Sequence, residues 1–369
     1  MIYLHVPFCE SFCTYCGFFS VVPKNSCFEA YSEAVQKEIE SRREEIDAES
    51  SVNTLYIGGG TPSVLPLDVL SHIVRTLAAS RKCWEEFTVE VNPEDIVEKG
   101  EEFVRGLIAL GVNRISMGIQ SFDDGILKWM NRRHDAAKAE EAFRILRRCG
   151  VGNISVDLIF GLPQLDEAAW SATIDRTLAL KPEHISAYQL SVEEDSALEK
   201  LISKGKYLEA SEDQCRRQYD ILCGKLREDG YRHYEISNFA VPGREAVHNG
   251  AYWRRIPYVG LGPGAHSLSS DGIRSWNTQE IPKRLRDGSL ATYSREEEIL
   301  SPEDIRIERI MLPLRTDLGM PEAELRSLAG DEAVDRLLSE GALLRYHTGL
   351  VRIPEDHFFT SDEIIRELI

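Results

Sequence analysis

The first eighteen residues read MIYLHVPFCESFCTYCGF, and this stretch decides the fold. Residues 2–6 are β-branched or apolar apart from His5, and Pro7 ends the run, so they predict a short strand. Three cysteines follow at once, Cys9, Cys13 and Cys16, in the spacing C-x3-C-x2-C. Three thiolates on one short loop behind a strand can converge on a single inorganic centre.

The number of cysteines in this loop indicates which centre it holds. Four-iron clusters usually take four cysteines, one for each iron. A loop with three leaves one iron open to another ligand, as catalytic zinc sites keep a position for water or substrate. A structural zinc site with His5 as fourth ligand and three unrelated thiols are the alternatives, but zinc sites favour two separated cysteine pairs. The spacing favours an open-site [4Fe-4S] cluster.

Length and charge narrow the class of protein. A chain of 369 residues is large enough for more than one domain. Its net charge of −18 argues against general affinity for nucleic acid or for an anionic membrane surface. No apolar run approaches the ~20 residues of a membrane span. The other five of the eight cysteines have no pair spacing, which predicts reduced thiols and a cytoplasmic location.

The order of strand and helix patterns predicts an α/β fold. Six βα units in a row indicate parallel strands with right-handed crossovers, and functional residues at the carboxyl ends of the strands. We therefore expect a partial (β/α)6 barrel over 1–192, an extension that completes it over 193–294, and a smaller helical, winged-helix-like α+β domain over 295–369. The pattern also predicts helices at 28–46 and 99–109, and a strand at Tyr234–Phe239.

Polar residues follow the predicted strands. The turn Gly59-Gly60-Thr61 lacks the Lys-Ser/Thr of a phosphate loop, but adjacent glycines let backbone N–H groups approach a carboxylate; the alternative is a simple tight turn. Glu90 ends the third strand, where it is either a ligand for hydroxyl or ammonium groups or a solvated acid. Gln120, Arg132 and Asp157 lie at or just after the fourth and fifth strands. Asp157 interrupts an apolar run, and a buried carboxylate needs partners.

The cysteine loop, with an aromatic residue before its last cysteine, resembles the loop of radical S-adenosylmethionine (SAM) proteins. The order of the strand-end residues resembles the coproporphyrinogen dehydrogenase (HemN-like) branch of that family, from residue 1 to near the end of the chain. The resemblance implies a [4Fe-4S] cluster held by three cysteines plus SAM. It also implies a first SAM at Tyr3, Gly59 and Glu90, and a second at Tyr15, Gly60, Thr61, Gln120, Arg132 and Asp157.

Members of this branch differ in function, and two features distinguish them. The oxygen-independent coproporphyrinogen III oxidases carry an extension before the first strand and a fourth cysteine, and here the chain starts at the strand and has Phe18 at that position. The heme chaperones carry H-N-x-x-Y-W, which here is His248, Asn249, Tyr252 and Trp253, with a matching stretch at 260–267.

The motif suits heme chemically, because neutral imidazole ligates heme iron and flat aromatic side chains pack on a porphyrin. The alternative is a histidine hydrogen-bonded in a packed loop, with Tyr252 and Trp253 in the core; His266 is a second heme candidate. The resemblance implies a heme chaperone, with coproporphyrinogen III oxidation and a radical SAM reaction on another small molecule as alternatives. The implied partners are heme, recipient hemoproteins, an electron donor and a second copy of the chain.

Overall fold

The computed structural model describes residues 1–23, 27–48, 52–78, 83–279, 293–346 and 349–369. In the first half of the chain strands alternate with helices, as the sequence predicts. A 3₁₀ turn at Pro62–Val64 follows the second strand. The elements are β1 (Ile2–Val6), α1 (Cys27–Ser41), α2 (Arg43–Ala48), β2 (Thr54–Gly59), α3 (Leu67–Ala78), β3 (Glu86–Val91), α4 (Pro93–Ala109), β4 (Arg114–Gln120), α5 (Asp124–Trp129), α6 (Ala136–Arg148), β5 (Ile154–Phe160), α7 (Glu167–Leu180) and β6 (His184–Gln189).

The second half has shorter elements and more antiparallel pairing. A 3₁₀ segment at Glu355–Thr360 precedes its last helix. The elements are α8 (Ala197–Ser203), α9 (Glu212–Glu228), β7 (Arg232–Glu235), β8 (Asn238–Ala240), α10 (Val247–Trp253), β9 (Val259–Leu261), β10 (His266–Leu268), β11 (Ile273–Asn277), β12 (Arg295–Ile299), α11 (Pro302–Leu314), β13 (Met320–Pro321), α12 (Glu322–Ala329), α13 (Asp331–Ser339), β14 (Leu344–Tyr346), β15 (Leu350–Arg352) and α14 (Ser361–Arg366).

Within the described residues the main sheet has nine strands in the order β7-β8-β6-β5-β4-β3-β2-β1-β9. The first six strands and β9 are parallel to their neighbours, and the hairpin β7–β8 pairs antiparallel to β6. No pairing joins β7 to β9 in this part of the chain, so the sheet is an open barrel. This arrangement confirms the predicted partial barrel with parallel strands.

Residues alternate between the two faces of the barrel strands, as the two-residue period of a strand requires. Apolar side chains such as Ile115, Met117 and Val156 point outward and belong to the core shared with the helices. The inward positions between them are polar, and they include Arg114, Ser116 and Asp157, which line an internal cavity. The barrel therefore has an apolar outer layer and a polar lumen.

Three element predictions need correction. The helix expected at 99–109 begins at Pro93, because the Asn92 side chain accepts the N–H of Glu94 and caps it, and it kinks at Gly100. The predicted helix 28–46 is two helices, α1 and α2. The strand expected at Tyr234–Phe239 is the hairpin β7–β8, in which β8 pairs with both β6 and β7.

The C-terminal region has helices α11 to α14 around a small sheet of order β13-β15-β14, in agreement with the predicted winged-helix-like module. A second sheet, β10-β11-β12, precedes it. Its strand β12 follows the predicted boundary at 294/295 and pairs with β11 before that boundary. The division into 1–192, 193–294 and 295–369 stays a prediction. None of the described helices is long and apolar enough to cross a membrane.

Candidate functional site

A cavity of about 480 Å³ opens at the carboxyl ends of the barrel strands. The cysteine loop forms one wall, and the residues that follow β2, β4 and β6 form the others. The cavity brings together most residues that the sequence singled out, namely Cys9, Cys13, Tyr15, Cys16, Gly59, Gly60, Thr61, Glu90, Gln120, Arg132, Asp157 and Asn249. Tyr3, His248, Tyr252 and Trp253 are not part of its lining.

The cysteine loop is held at both ends by backbone hydrogen bonds. The N–H groups of Gly60 and Thr61 donate to the carbonyls of Val6 and Phe8, at 2.8 and 2.7 Å, which attaches the glycine turn to the start of the loop. Further along, the N–H of Thr14 donates to the carbonyl of Met130 at 3.1 Å. The loop is thus fixed to β2 on one side and to α5 on the other.

The three cysteines are free thiols, and each is partly exposed to the cavity. Cys9 Sγ lies 3.4 Å from Thr61 Oγ1, and Cys13 Sγ accepts from Arg132 Nη1 at 3.4 Å. Among the described residues no three such side chains converge closely enough for a single metal ion. Three thiols that line the same cavity are the ligands that a four-iron cluster with one open iron requires.

His5 is not turned toward these thiols. Its Nδ1 is hydrogen-bonded to the Tyr3 hydroxyl at 3.0 Å and its Nε2 to the Phe19 carbonyl at 2.9 Å. Both ring nitrogens therefore have partners, and His5 is not available as the fourth ligand of a zinc site. Tyr3 touches the rest of the site through Tyr56, with ring centroids 6.2 Å apart.

Glu90 lies beneath the glycine turn. Its carboxylate accepts from the Tyr56 hydroxyl at 2.7 Å and from the Gly59 N–H at 3.1 Å. Burial raises the pKa of Glu90 to about 7, against the lowering by the Tyr56 hydrogen bond, with a further rise from the charge of Asp157. At neutral pH this carboxyl therefore exchanges between its acidic and ionised forms.

Three more predicted residues face the cysteine loop from the opposite wall. Gln120 has a left-handed backbone, with φ of 69°, where β4 bulges. Arg132 donates to the carbonyl of Gly118 at 2.6 Å, so its guanidinium is held between β4 and Cys13. Asp157 accepts from Ser116 at 3.2 Å, and burial raises its pKa.

Helix α10, which contains the H-N-x-x-Y-W stretch, closes the barrel at the amino ends of its strands. Its first two N–H groups, from Val247 and His248, donate to the carboxylate of Glu86 at 2.8 and 2.9 Å. His248 is 1% exposed, and its ring nitrogens are hydrogen-bonded to Thr54 Oγ1 at 2.8 Å and to the Tyr252 hydroxyl at 3.0 Å. Burial lowers the pKa of His248 to about 3.

The other residues of this stretch differ in position. Asn249 lines the cavity and contributes to its floor. Tyr252 stacks edge-to-face on Tyr258, with ring centroids 4.8 Å apart, and Trp253 is half-buried. His266 is exposed and stacks on Trp276, on the separate sheet β10-β11-β12. Of the heme candidates in the described residues, only Asn249 belongs to the cavity lining.

Sequence reasoning missed several residues of the lumen. Tyr56 and Arg114 line the cavity, and Tyr56 is the hydroxyl that binds Glu90. Tyr56 lies four residues before Gly60, so the two-residue period of the strand would have indicated its inward position. Three exposed aromatic residues also surround the mouth of the cavity: Phe12, Phe18 and Tyr188, which are 52%, 73% and 43% exposed.

An open parallel barrel with a three-cysteine loop above its strand ends defines a radical SAM fold, and comparison with known proteins agrees. Residues 3–177 match the family model of the radical SAM superfamily. The solved structure of coproporphyrinogen III oxidase (HemN) from Escherichia coli aligns with a TM-score of 0.79 at 20% identity, covering 100% of this chain and 89% of that one. At this identity the likeness shows the fold.

Two curated relatives narrow the assignment. A heme chaperone HemW from Lactococcus lactis is 34% identical over 86% of this chain and 82% of the relative. Another, from Bacillus subtilis, is 35% identical over 86% and 84%. The chain belongs to the HemN/HemW branch of the radical SAM superfamily. Membership implies a [4Fe-4S] cluster and SAM as cofactors.

Proposed function

We propose that this protein is a heme chaperone, which binds heme, a [4Fe-4S] cluster and SAM and delivers heme to hemoproteins. The likeness to proteins described as heme chaperones, over more than four fifths of both chains, carries this proposal. We also propose that its partners are recipient hemoproteins and an electron donor for the cluster. The protein would form a homodimer and work in the cytoplasm.

In this proposal Cys9, Cys13 and Cys16 hold three irons, and the fourth iron is left to the amino and carboxylate groups of SAM. When bound, the cluster supplies the electron that radical SAM chemistry requires. A first SAM is assigned to Tyr3, Gly59 and Glu90. Glu90 suits ribose hydroxyls or an ammonium group, because both donate hydrogen bonds that its carboxylate can accept. A second SAM is assigned to Tyr15, Gly60, Thr61, Gln120, Arg132 and Asp157.

Heme is assigned to the cavity and to the H-N-x-x-Y-W stretch that closes it. Phe12, Phe18 and Tyr188 at the mouth suit a porphyrin face, because flat apolar surface there would otherwise stay in water. Asn249 is the member of the stretch that lines the cavity. Ligation of heme iron by His248 requires breaking its hydrogen bonds to Thr54 and Tyr252.

The first test divides one anaerobically reconstituted sample. One half is titrated with heme and then mixed with apomyoglobin, and the other half is incubated with reductant, SAM and coproporphyrinogen III. Stoichiometric heme binding followed by transfer to apomyoglobin, without decarboxylated product, is expected. Formation of the divinyl product would instead establish the oxidase function, despite Phe18 at the position where the oxidase has its fourth cysteine.

A second test concerns the residues that contact heme. Phe18→Ala is expected to weaken heme binding about tenfold, because an exposed aromatic ring at the mouth loses its packing on the porphyrin. The matched control is Leu208→Ala, since Leu208 is 77% exposed and lies outside the cavity lining. Equal heme affinity in both variants would contradict the assignment of heme to the mouth of the cavity. A changed heme spectrum in His248→Ala would favour ligation by His248.

A further inference from the structure

Arg114 is a buried cation in the lumen whose hydrogen-bonding capacity is almost unused. It is the first residue of β4, is 1% exposed, and lines the cavity. Its Nη1 donates to Thr88 Oγ1 at 3.5 Å, which is the outer limit of a hydrogen bond, and its Nε has no partner. It forms no ion pair with any residue that the structure describes.

Three carboxylates on the strands next to β4 are already engaged by neutral donors. Glu90, Asp157 and Glu86 are the three acids at inward positions of β3 and β5. Each has hydrogen bonds that do not involve a cation, so none of them needs Arg114 as a direct partner. Their donors are the Tyr56 hydroxyl and Gly59 N–H for Glu90, the Ser116 and Ser155 hydroxyls for Asp157, and the Val247 and His248 N–H groups for Glu86.

A buried guanidinium with so few hydrogen bonds destabilises the folded state. A buried charge without a partner is strongly unfavourable, and an apolar residue of similar volume is often better tolerated at such a position. Arg114 attracts the ionised carboxylates over a distance, since its charge opposes the rise that burial causes in the pKa of Asp157. That attraction leaves the Arg114 Nε without a hydrogen-bond partner, and the residue lines the cavity.

We propose that Arg114 binds a carboxylate of the ligand that occupies the cavity. The planar guanidinium presents paired donors that match a carboxylate, which accepts them side by side. Two ligands carry such a group: a tetrapyrrole, through a propionate, and a SAM-type nucleoside at the second SAM site, through its amino-acid carboxylate. The inference rests on the proposed function only in taking this cavity as the ligand site.

The test compares ligands that differ only in the carboxylate. One pair is coproporphyrin III and its neutral tetra-amide, and the other is S-adenosylhomocysteine and its decarboxylated counterpart. Dissociation constants are measured on the full-length reconstituted protein for the wild type, Arg114→Gln and Arg114→Lys. Arg255→Gln is the control, because Arg255 pairs with Glu308 away from the cavity and also has an unpartnered buried nitrogen.

The wild type is expected to bind the acid of one pair about 10- to 100-fold more tightly than the partner that lacks the carboxylate, the range for hydrogen bonds to charged groups. Arg114→Gln should bind both members of that pair equally, Arg114→Lys should keep part of the preference, and Arg255→Gln all of it. The pair that shows the effect identifies the source of the carboxylate. Undiminished preference for the acid in both Arg114 variants overturns the proposal.

Thermal unfolding separates binding from a structural role. If Arg114 binds the cavity ligand, adding the acid raises the melting temperature of the wild type more than that of Arg114→Gln. A lower melting temperature together with unchanged ligand preference assigns Arg114 to the fold instead. If the wild type binds no tetrapyrrole while the nucleoside pair still depends on Arg114, the proposed heme function fails and this inference stands.

Discussion

Replacing Gly60 by alanine should damage the site, because the added methyl group would meet backbone atoms of the cysteine loop. A Cβ at Gly60 would lie 2.7 Å from the Phe8 carbonyl oxygen and 2.9 Å from that of Val6, whereas ordinary contact begins at 3.4 Å. These two oxygens accept the hydrogen bonds of Gly60 and Thr61 that hold the cysteine loop. Because both obstacles are backbone atoms, the methyl group must push the loop away by about 0.5–0.7 Å.

The expected loss has two contributions. Overpacking of this kind costs roughly 1–3 kcal/mol. Weakening two hydrogen bonds adds about 0.5–1.5 kcal/mol each. Gly60→Ala should therefore lower the free energy of unfolding by about 2–6 kcal/mol. It should also lower the iron bound after reconstitution, since the start of the loop moves relative to Thr61.

Urea unfolding of the cluster-free protein measures the first effect, and iron content with visible absorbance measures the second. Gly224→Ala is the matched control, because its Cβ would meet nothing within 4 Å and it lies inside helix α9. That methyl group should stabilise the protein by about 0.5–1 kcal/mol. Unfolding of Gly60→Ala at the wild-type urea concentration, with full iron content, would refute the argument for a backbone clash.

Three further predictions follow from the same geometry. The pKa of Glu90 in the folded protein is raised from 4.5 to about 7, so this residue lowers the stability progressively as the pH rises from 4.5 through 7. Glu90→Gln should remove that loss and raise the free energy of unfolding at pH 8 by about 3 kcal/mol, as measured by unfolding titrations. Parallel pH profiles for the two proteins would contradict this prediction. His248→Ala should lower the free energy of unfolding by about 2–4 kcal/mol in urea, because two buried hydroxyls lose their partner; wild-type stability would show that those bonds are unimportant. Cys13→Ser should abolish the visible absorption of the cluster after reconstitution, whereas Cys149→Ser, which lies outside the cavity, should retain it. A full four-iron spectrum in Cys13→Ser would exclude Cys13 as a cluster ligand.

The barrel was predictable because each of its strands can be recognised from a few consecutive residues. Each strand is a short apolar run closed by glycine, proline or a polar residue, and successive parallel strands must bring their carboxyl ends to one edge. This rule alone places the cysteine loop, Gly59 and Glu90 around one cavity. The roles of individual polar residues came from resemblance rather than from periodicity.

What sequence reasoning missed depends on distant partners. The stretch 247–253 forms a helix although it contains a glycine and two large aromatic residues near its end, because Glu86 binds its first N–H groups from about 160 positions away. A charged residue at the start of a strand usually faces water, so Arg114 gave no indication of its burial. Both errors concern the lumen, where polar residues are satisfied across the barrel and not along the chain.

The structure also divides the H-N-x-x-Y-W stretch into two parts with different roles. Residues four apart share one face of a helix, so His248 and Tyr252 form one pair, joined by their own hydrogen bond, and Asn249 and Trp253 form the neighbouring pair. The first pair ties α10 to Thr54 in the barrel wall, while Asn249 lines the cavity. Because the ring nitrogens of His248 are hydrogen-bonded to Thr54 and Tyr252, this uncharged imidazole is buried close to the cavity but does not line it. On this argument His248 positions the helix, and Asn249 is the residue of the stretch that we expect to contact a ligand in the cavity.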